Sequence, residues 1–217
     1  MKMLPAIALA VTLPTMGGTG APRNGISFQL EPRSDSNLPT YIVSLGDQGV
    51  GRYIEFAAGN GPAERPGEPI TVGAATLHTL LKARAVSPDR CQSHRKGIAS
   101  IGRMTLTVYA EGQTVQCVFE YSDDESLTAA VAAFEAIAET LQCGSRLQHE
   151  LRFDRLGLDA EIDSLIAENK DARAIELQNI APVLQSIVDD DRVMERVRRK
   201  AARLLQDAAP KPAPNPL

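Results

Sequence analysis

Between Arg103 and Gln142 the hydrophobic period changes once, and that change dictates most of what the chain can become. Met104, Leu106 and Val108 alternate with Thr105, Thr107 and Tyr109, the pattern of a strand with one buried face. Glu111-Gly112 supplies a short turn, with glycine free to take positive φ. In the return strand Val115, Cys117 and Phe119 alternate with Thr114, Gln116 and Glu120. A two-residue turn sets Ala110 opposite Gln113, Leu106 opposite Cys117, Met104 opposite Phe119 and Arg103 opposite Glu120. A slip of one residue would turn the apolar set to the other face, so pattern and turn length specify one register. Ser122 and Glu125 then read as a capping box. Leu127, Val131, Phe134, Ala138 and Leu141 follow at helical spacing.

The rest of the chain repeats this logic. Ile26, Phe28 and Leu30 form a short alternating patch, expected as an edge strand. Tyr41, Val43 and Leu45 lead through Gly46-Asp47-Gln48-Gly49 into Arg52–Ala57, a second hairpin. The Gly/Pro-rich loop Gly59–Pro69 and a short strand at Ile70–Val72 come next. Leu77, Leu80 and Leu81 share a face of a helix over Thr76–Val86 that stops at Ser87-Pro88. A basic loop, Asp89–Gly102, precedes the opening unit. The order predicts an α+β fold: an antiparallel sheet of two hairpins with helices on one face.

Past Gln142 the pattern is helical. Gly144 and Gly157 are expected to interrupt it. Leu158, Ile162, Leu165 and Ile166 make one apolar face, and Leu177, Ile180, Leu184 and Ile187 another, with Pro182 starting a helix. Val193, Val197, Ala201 and Leu204 make a third, on a helix expected to open at Asp189–Asp191. The chain thus divides into residues 1–21 as a signal peptide, 22–145 as the sheet domain, 146–207 as a helical region and 208–217 as a disordered Pro-rich tail.

The expected compartment is outside the cytoplasm. Lys2, the apolar run Met3–Pro14, and small residues ending with Thr19 and Ala21 at the −3 and −1 positions read as an export signal, making the mature chain periplasmic or secreted. No later segment approaches a membrane span. In an oxidising compartment the three cysteines, Cys91, Cys117 and Cys143, allow one internal disulfide. Cys117 lies roughly 13 Å from its strand end at strand rise. Cys143 lies roughly 27 Å along the following helix at helical rise. A straight fold-back separates those two by roughly 14 Å, too far for a bridge. Cys91 sits in a loop able to reach, so Cys91–Cys117 is the expected pair.

Composition narrows the function further. The net charge of −4 gives no general attraction to nucleic acid. Aromatics at 4%, with no tryptophan, argue against a base-stacking platform. A metal site from Cys91, His94, Cys117 and Cys143 lacks paired C-x-x-C knuckles. His78, among leucines, reads as a packing residue, and neither it nor His149 accompanies a G-x-S-x-G elbow. Gly46–Gly51 joins two strands with no helix after it, so it reads as a hairpin turn instead of a phosphate loop. No catalytic residue, metal ligand or cofactor is therefore assigned. Arg192–Leu205, through Val197, Arg198, Ala201 and Leu205, resembles the second helix of a HEAT-type repeat. One unit is too few for a solenoid and implies a packed helical pair with a groove for a partner.

Thr40-Tyr-Ile-Val-Ser-Leu45, Arg90-Cys91, Tyr121-Ser-Asp-Asp124 and the run Leu151–Ile162 resemble a group of uncharacterised exported bacterial proteins. The resemblance covers most of the chain after residue 21 and implies no activity. The expectation is a non-enzymatic exported protein that binds another envelope or extracellular protein. The rivals are a hydrolase or other small-molecule enzyme working near residues 90–96, and an inhibitor-type module using the loop Gly59–Pro69.

Overall fold

A computed structural model describes residues 24–56, 67–95 and 97–208. The expected signal (1–21), most of the loop Gly59–Pro69, Lys96 and the tail after Ala208 lie outside the described residues. Six strands, β1 (Gly25–Pro32), β2 (Thr40–Gly46), β3 (Val50–Phe56), β4 (Glu68–Thr71), β5 (Gly102–Ala110) and β6 (Gln113–Phe119), form one antiparallel sheet in the order β4-β3-β2-β1-β5-β6. The fold is α+β. The β5–β6 register is the one the turn length dictates: Ala110 faces Gln113, Leu106 faces Cys117 and Met104 faces Phe119. Glu111 and Gly112 both take positive φ, as a two-residue hairpin turn requires.

One sequence expectation is overturned in the sheet. Ile26, Phe28 and Leu30 belong to a central strand, not an edge strand, because β1 pairs with β2 on one side and β5 on the other. This strand is the hinge of the whole topology, since it joins the two hairpins into one sheet. Its small outward residue Ser27 is itself buried, sharing a 2.8 Å hydroxyl hydrogen bond with Ser44.

Helices α1 (Ala74–Lys82) and α2 (Glu125–Phe153) cover the apolar face of the sheet and touch each other. The rings of Phe28 and Phe134 stack with centroids 5.2 Å apart, joining β1 to α2 at the centre of the core. The N-cap of α2 is Asp124, not Ser122. Its carboxylate accepts from the backbone N–H groups of Ser126 and Leu127. Ser122 instead accepts from the Asp124 N–H, shaping the turn before the cap. Nor does Gly144 interrupt α2, which runs 29 residues through it. A Cβ there would overlap Cγ2 of Ile180, so glycine marks a close approach of the Ile180 side chain to the α2 backbone rather than a break.

The C-terminal helices α3 (Leu158–Lys170), α4 (Ala181–Asp189) and α5 (Glu195–Ala208) pack into the same hydrophobic core as the sheet. Pro182 sits in the first turn of α4, where its missing N–H leaves no bond unmade. The acidic run does not open α5. Asp189 ends α4 and Asp190 lies in the turn, where Arg192, the Arg192 N–H and Arg155 hold its carboxyl well below the usual carboxylate range. On α5, Arg196 and Lys200 pair with Asp159 of α3 at 2.8 and 2.9 Å, so part of the basic face is matched within the fold.

Candidate functional site

The basic loop is a strap. Cys91 and Cys117 stand as a disulfide pair with Cα atoms 5.6 Å apart, fixing the loop to β6. Beyond Cys91 the polar groups are spent on the same attachment. The Glu120 N–H donates to Gln92 Oε1 at 2.7 Å, and the Ser93 N–H donates to the Tyr121 carbonyl at 2.8 Å. The Ser93 hydroxyl, itself buried, donates to Asp123 at 2.5 Å, and Arg95 meets the other oxygen of that carboxylate at 3.1 Å. A shallow cavity of about 410 Å³ lies over these residues, with Arg90 and His94 in its wall. The Ser93 proton goes to a carboxylate that Arg95 already holds, and His94 is exposed outside that pair. The geometry secures a loop to the start of α2.

The other singled-out residues scatter. His78 is exposed on α1, contrary to the packing role its leucine neighbours suggest. It falls between the buried Leu80 and the half-buried Leu77 on the opposite side of a short helix. His149 is exposed on α2 with its ring 4.8 Å from that of Phe153. Cys143 is buried and unpaired. Its Sγ lies 3.2 Å from Glu139 and 2.8 Å from Arg146. Burial, reinforced by Glu139 and opposed by Arg146, pushes this thiol far above its ordinary range. Among the described residues no three His, Cys, Asp or Glu side chains gather as metal ligands, and no helix is long and apolar enough to cross a membrane.

A larger concavity than the one at the strap lies elsewhere, in a groove of about 670 Å³ between β4, α2 and α4. Leu141, Ile180 and Val183 give it an apolar lining, and Ser145, Gln148 and Ser186 place hydroxyl and amide groups along it. Glu68 is the one charged residue in that lining. Four sequence-distant stretches, at Val50, Glu68–Thr71, Leu141–Leu151 and Gln178–Ser186, build the groove, so no local pattern announces it. Gly144 is the signal that had a reading available, since it lets Ile180 seat against the α2 backbone.

The two edges of the sheet differ. On β4, the Thr71 N–H donates to Asn179 Oδ1 at 2.8 Å, and its carbonyl accepts from Gln178 and Asn179 at 3.0 Å each. Pro69 carries no N–H at all, so this edge is closed by side chains and chemistry. On β6, Gln92 occupies the N–H of Glu120. Short of that point the strand Gln113–Phe119 holds no charge and no proline, and Val115 and Val118 are 40% and 46% exposed. The chain matches no family model, no curated protein and no solved structure at a level that would mark kinship.

Proposed function

We propose that this is an exported, non-enzymatic protein that binds an extended, uncharged segment of another envelope or extracellular protein. The observation that carries the reading is the groove between β4, α2 and α4. Its volume of about 670 Å³, apolar lining and single carboxylate suit a peptide whose side chains are apolar and whose backbone needs polar partners. Ser145, Gln148 and Ser186 supply those partners. The disulfide pair supports export, because such bonds persist in oxidising compartments.

Panning a random peptide display library on the folded protein tests this. The expected result is enrichment of neutral, apolar-rich peptides that bind saturably. Both Ser145→Arg and Gln148→Arg, each at an exposed position on α2 facing the groove, should abolish that binding. Peptides that bind both variants as well as the parent, or no enrichment at all, would overturn the assignment.

A further inference from the structure

We infer that two copies of this chain pair through β6, extending the sheet across a two-fold axis at Val115. In a two-residue hairpin Ala110 and Gln113 form a hydrogen-bonded pair, so Gln113, Val115, Cys117 and Phe119 direct their backbone groups to β5. Thr114, Gln116 and Val118 therefore direct theirs outward, where no strand among the described residues meets them. Glu120 shares this outward sense, and its N–H is already taken by Gln92. The strap thus sets a stop. An incoming antiparallel hairpin can reach no further than Val118, which brings its own Gly112 opposite that residue and puts the axis on Val115. Thr114 then pairs with Gln116 of the other copy, twice, giving about four backbone hydrogen bonds. The two Val115 side chains, each 40% exposed alone, meet across the axis.

A second copy fits this edge for three reasons. The strand Gln113–Phe119 is uncharged, so like charges do not meet when it faces itself. One contact closes two open edges at once. The opposite edge is blocked at Thr71 and Pro69, so growth ends at a closed dimer rather than a fibre. Such a contact is small, below about 1,200 Å², so a dissociation constant of about 1 to 100 µM is expected.

Sedimentation velocity from about 1 to 500 µM spans that range. The parent chain should shift from monomer to dimer. Val115→Lys, which sets two ammonium groups against each other, should stay monomeric throughout. So should Gln116→Pro, which removes an outward N–H without touching the β5 ladder, and both variants should keep the parent's thermal midpoint to within a few degrees. A parent chain monomeric at every concentration overturns the inference, as does a dimer that survives both substitutions. Neither result bears on the groove, which lies at the other edge.

Discussion

Substituting Gly144 by alanine sets two effects of opposite sign against each other, and their sizes decide whether the C-terminal helices are locked to α2. Glycine inside a helix is disfavoured relative to alanine by about 1 kcal/mol, so in a free helix the change stabilises. Here the new methyl would overlap Cγ2 of Ile180 and lie 3.2 Å from its Cβ. Ile180 is 4% exposed and branched at the atom that must move, so relief requires shifting the start of α4 itself. Overpacking of this kind costs about 1–3 kcal/mol, and the expected net is a loss of about 1 kcal/mol. In a chain of this length that lowers the thermal midpoint by about 3 °C, where a free helix would give a rise of similar size. Urea unfolding of Gly144→Ala, Ile180→Ala and the double variant completes the test. Ile180→Ala alone should cost about 2–5 kcal/mol. In the double variant the added methyl enters the space Ile180 vacates, so the total should fall at least about 1 kcal/mol below the sum. A raised midpoint for Gly144→Ala, or strict additivity in the cycle, would refute the close approach.

Three further outcomes follow from the same geometry. Replacing Cys91 and Cys117 by serine opens a loop of sequence separation 26, and chain entropy puts the loss near 3.5 kcal/mol. Denaturant midpoints with and without reductant measure it, and a variant as stable as the oxidised parent would contradict the tether. Asp124→Ala should cost about 1 kcal/mol by uncapping α2. The Ser126 hydroxyl and the Leu127 and Ser126 N–H groups hold the Asp124 carboxyl below its ordinary value. Its stabilisation is therefore complete above the unfolded-state pKa of about 4 and drains away as pH falls through the lower folded value. Asp124→Asn should flatten that acid limb, and an unchanged limb by circular dichroism would refute the cap. Cys143, buried and with its thiol pushed up by burial, should resist a disulfide exchange reagent until the protein unfolds. Labelling in native buffer on the timescale of a free thiol would contradict its placement.

The parts of the fold readable from sequence are those where local signals agree. For β5–β6 the turn length, the alternation and the apolar pairing all demand the same register, and nothing distant competes. Position within the sheet is a different matter. Ile26, Phe28 and Leu30 alternate alike whether their strand is central or at an edge, because one buried face gives the same pattern in both. Only the partners at Tyr41–Gly46 and Gly102–Tyr109 decide it, and those pairings are long-range. Gly144 departs from its expected role as a helix break for a related reason. Propensity treats glycine as a weak point in a helix, but here the absent Cβ admits Ile180 from 36 positions along the chain. The apolar face of Val197, Ala201 and Leu204 is buried as its spacing demands, while the groove depends on where β4 lies and leaves no trace in that pattern.

The two proposed contacts sit at opposite ends of the sheet, and that separation makes a consequence testable. Five interstrand steps of about 4.8 Å put β4 about 24 Å from β6, with α2 and the core between them. The groove lies against β4, and the strap that limits pairing lies on β6. A peptide in the groove therefore touches no residue at the pairing edge. Independence is the expected result. Val115→Lys should leave the peptide dissociation constant unchanged, and Ser145→Arg should leave the sedimentation profile unchanged. In a dimer joined through β6 the two grooves lie at the far ends of the shared sheet, so a ligand carrying two copies of the peptide on a long flexible linker should bind the parent more tightly than the single peptide. Val115→Lys should remove that gain while sparing the single-site affinity. If it weakened both alike, the edge and the groove would share a coupled element, and the reading of them as separate surfaces would fail.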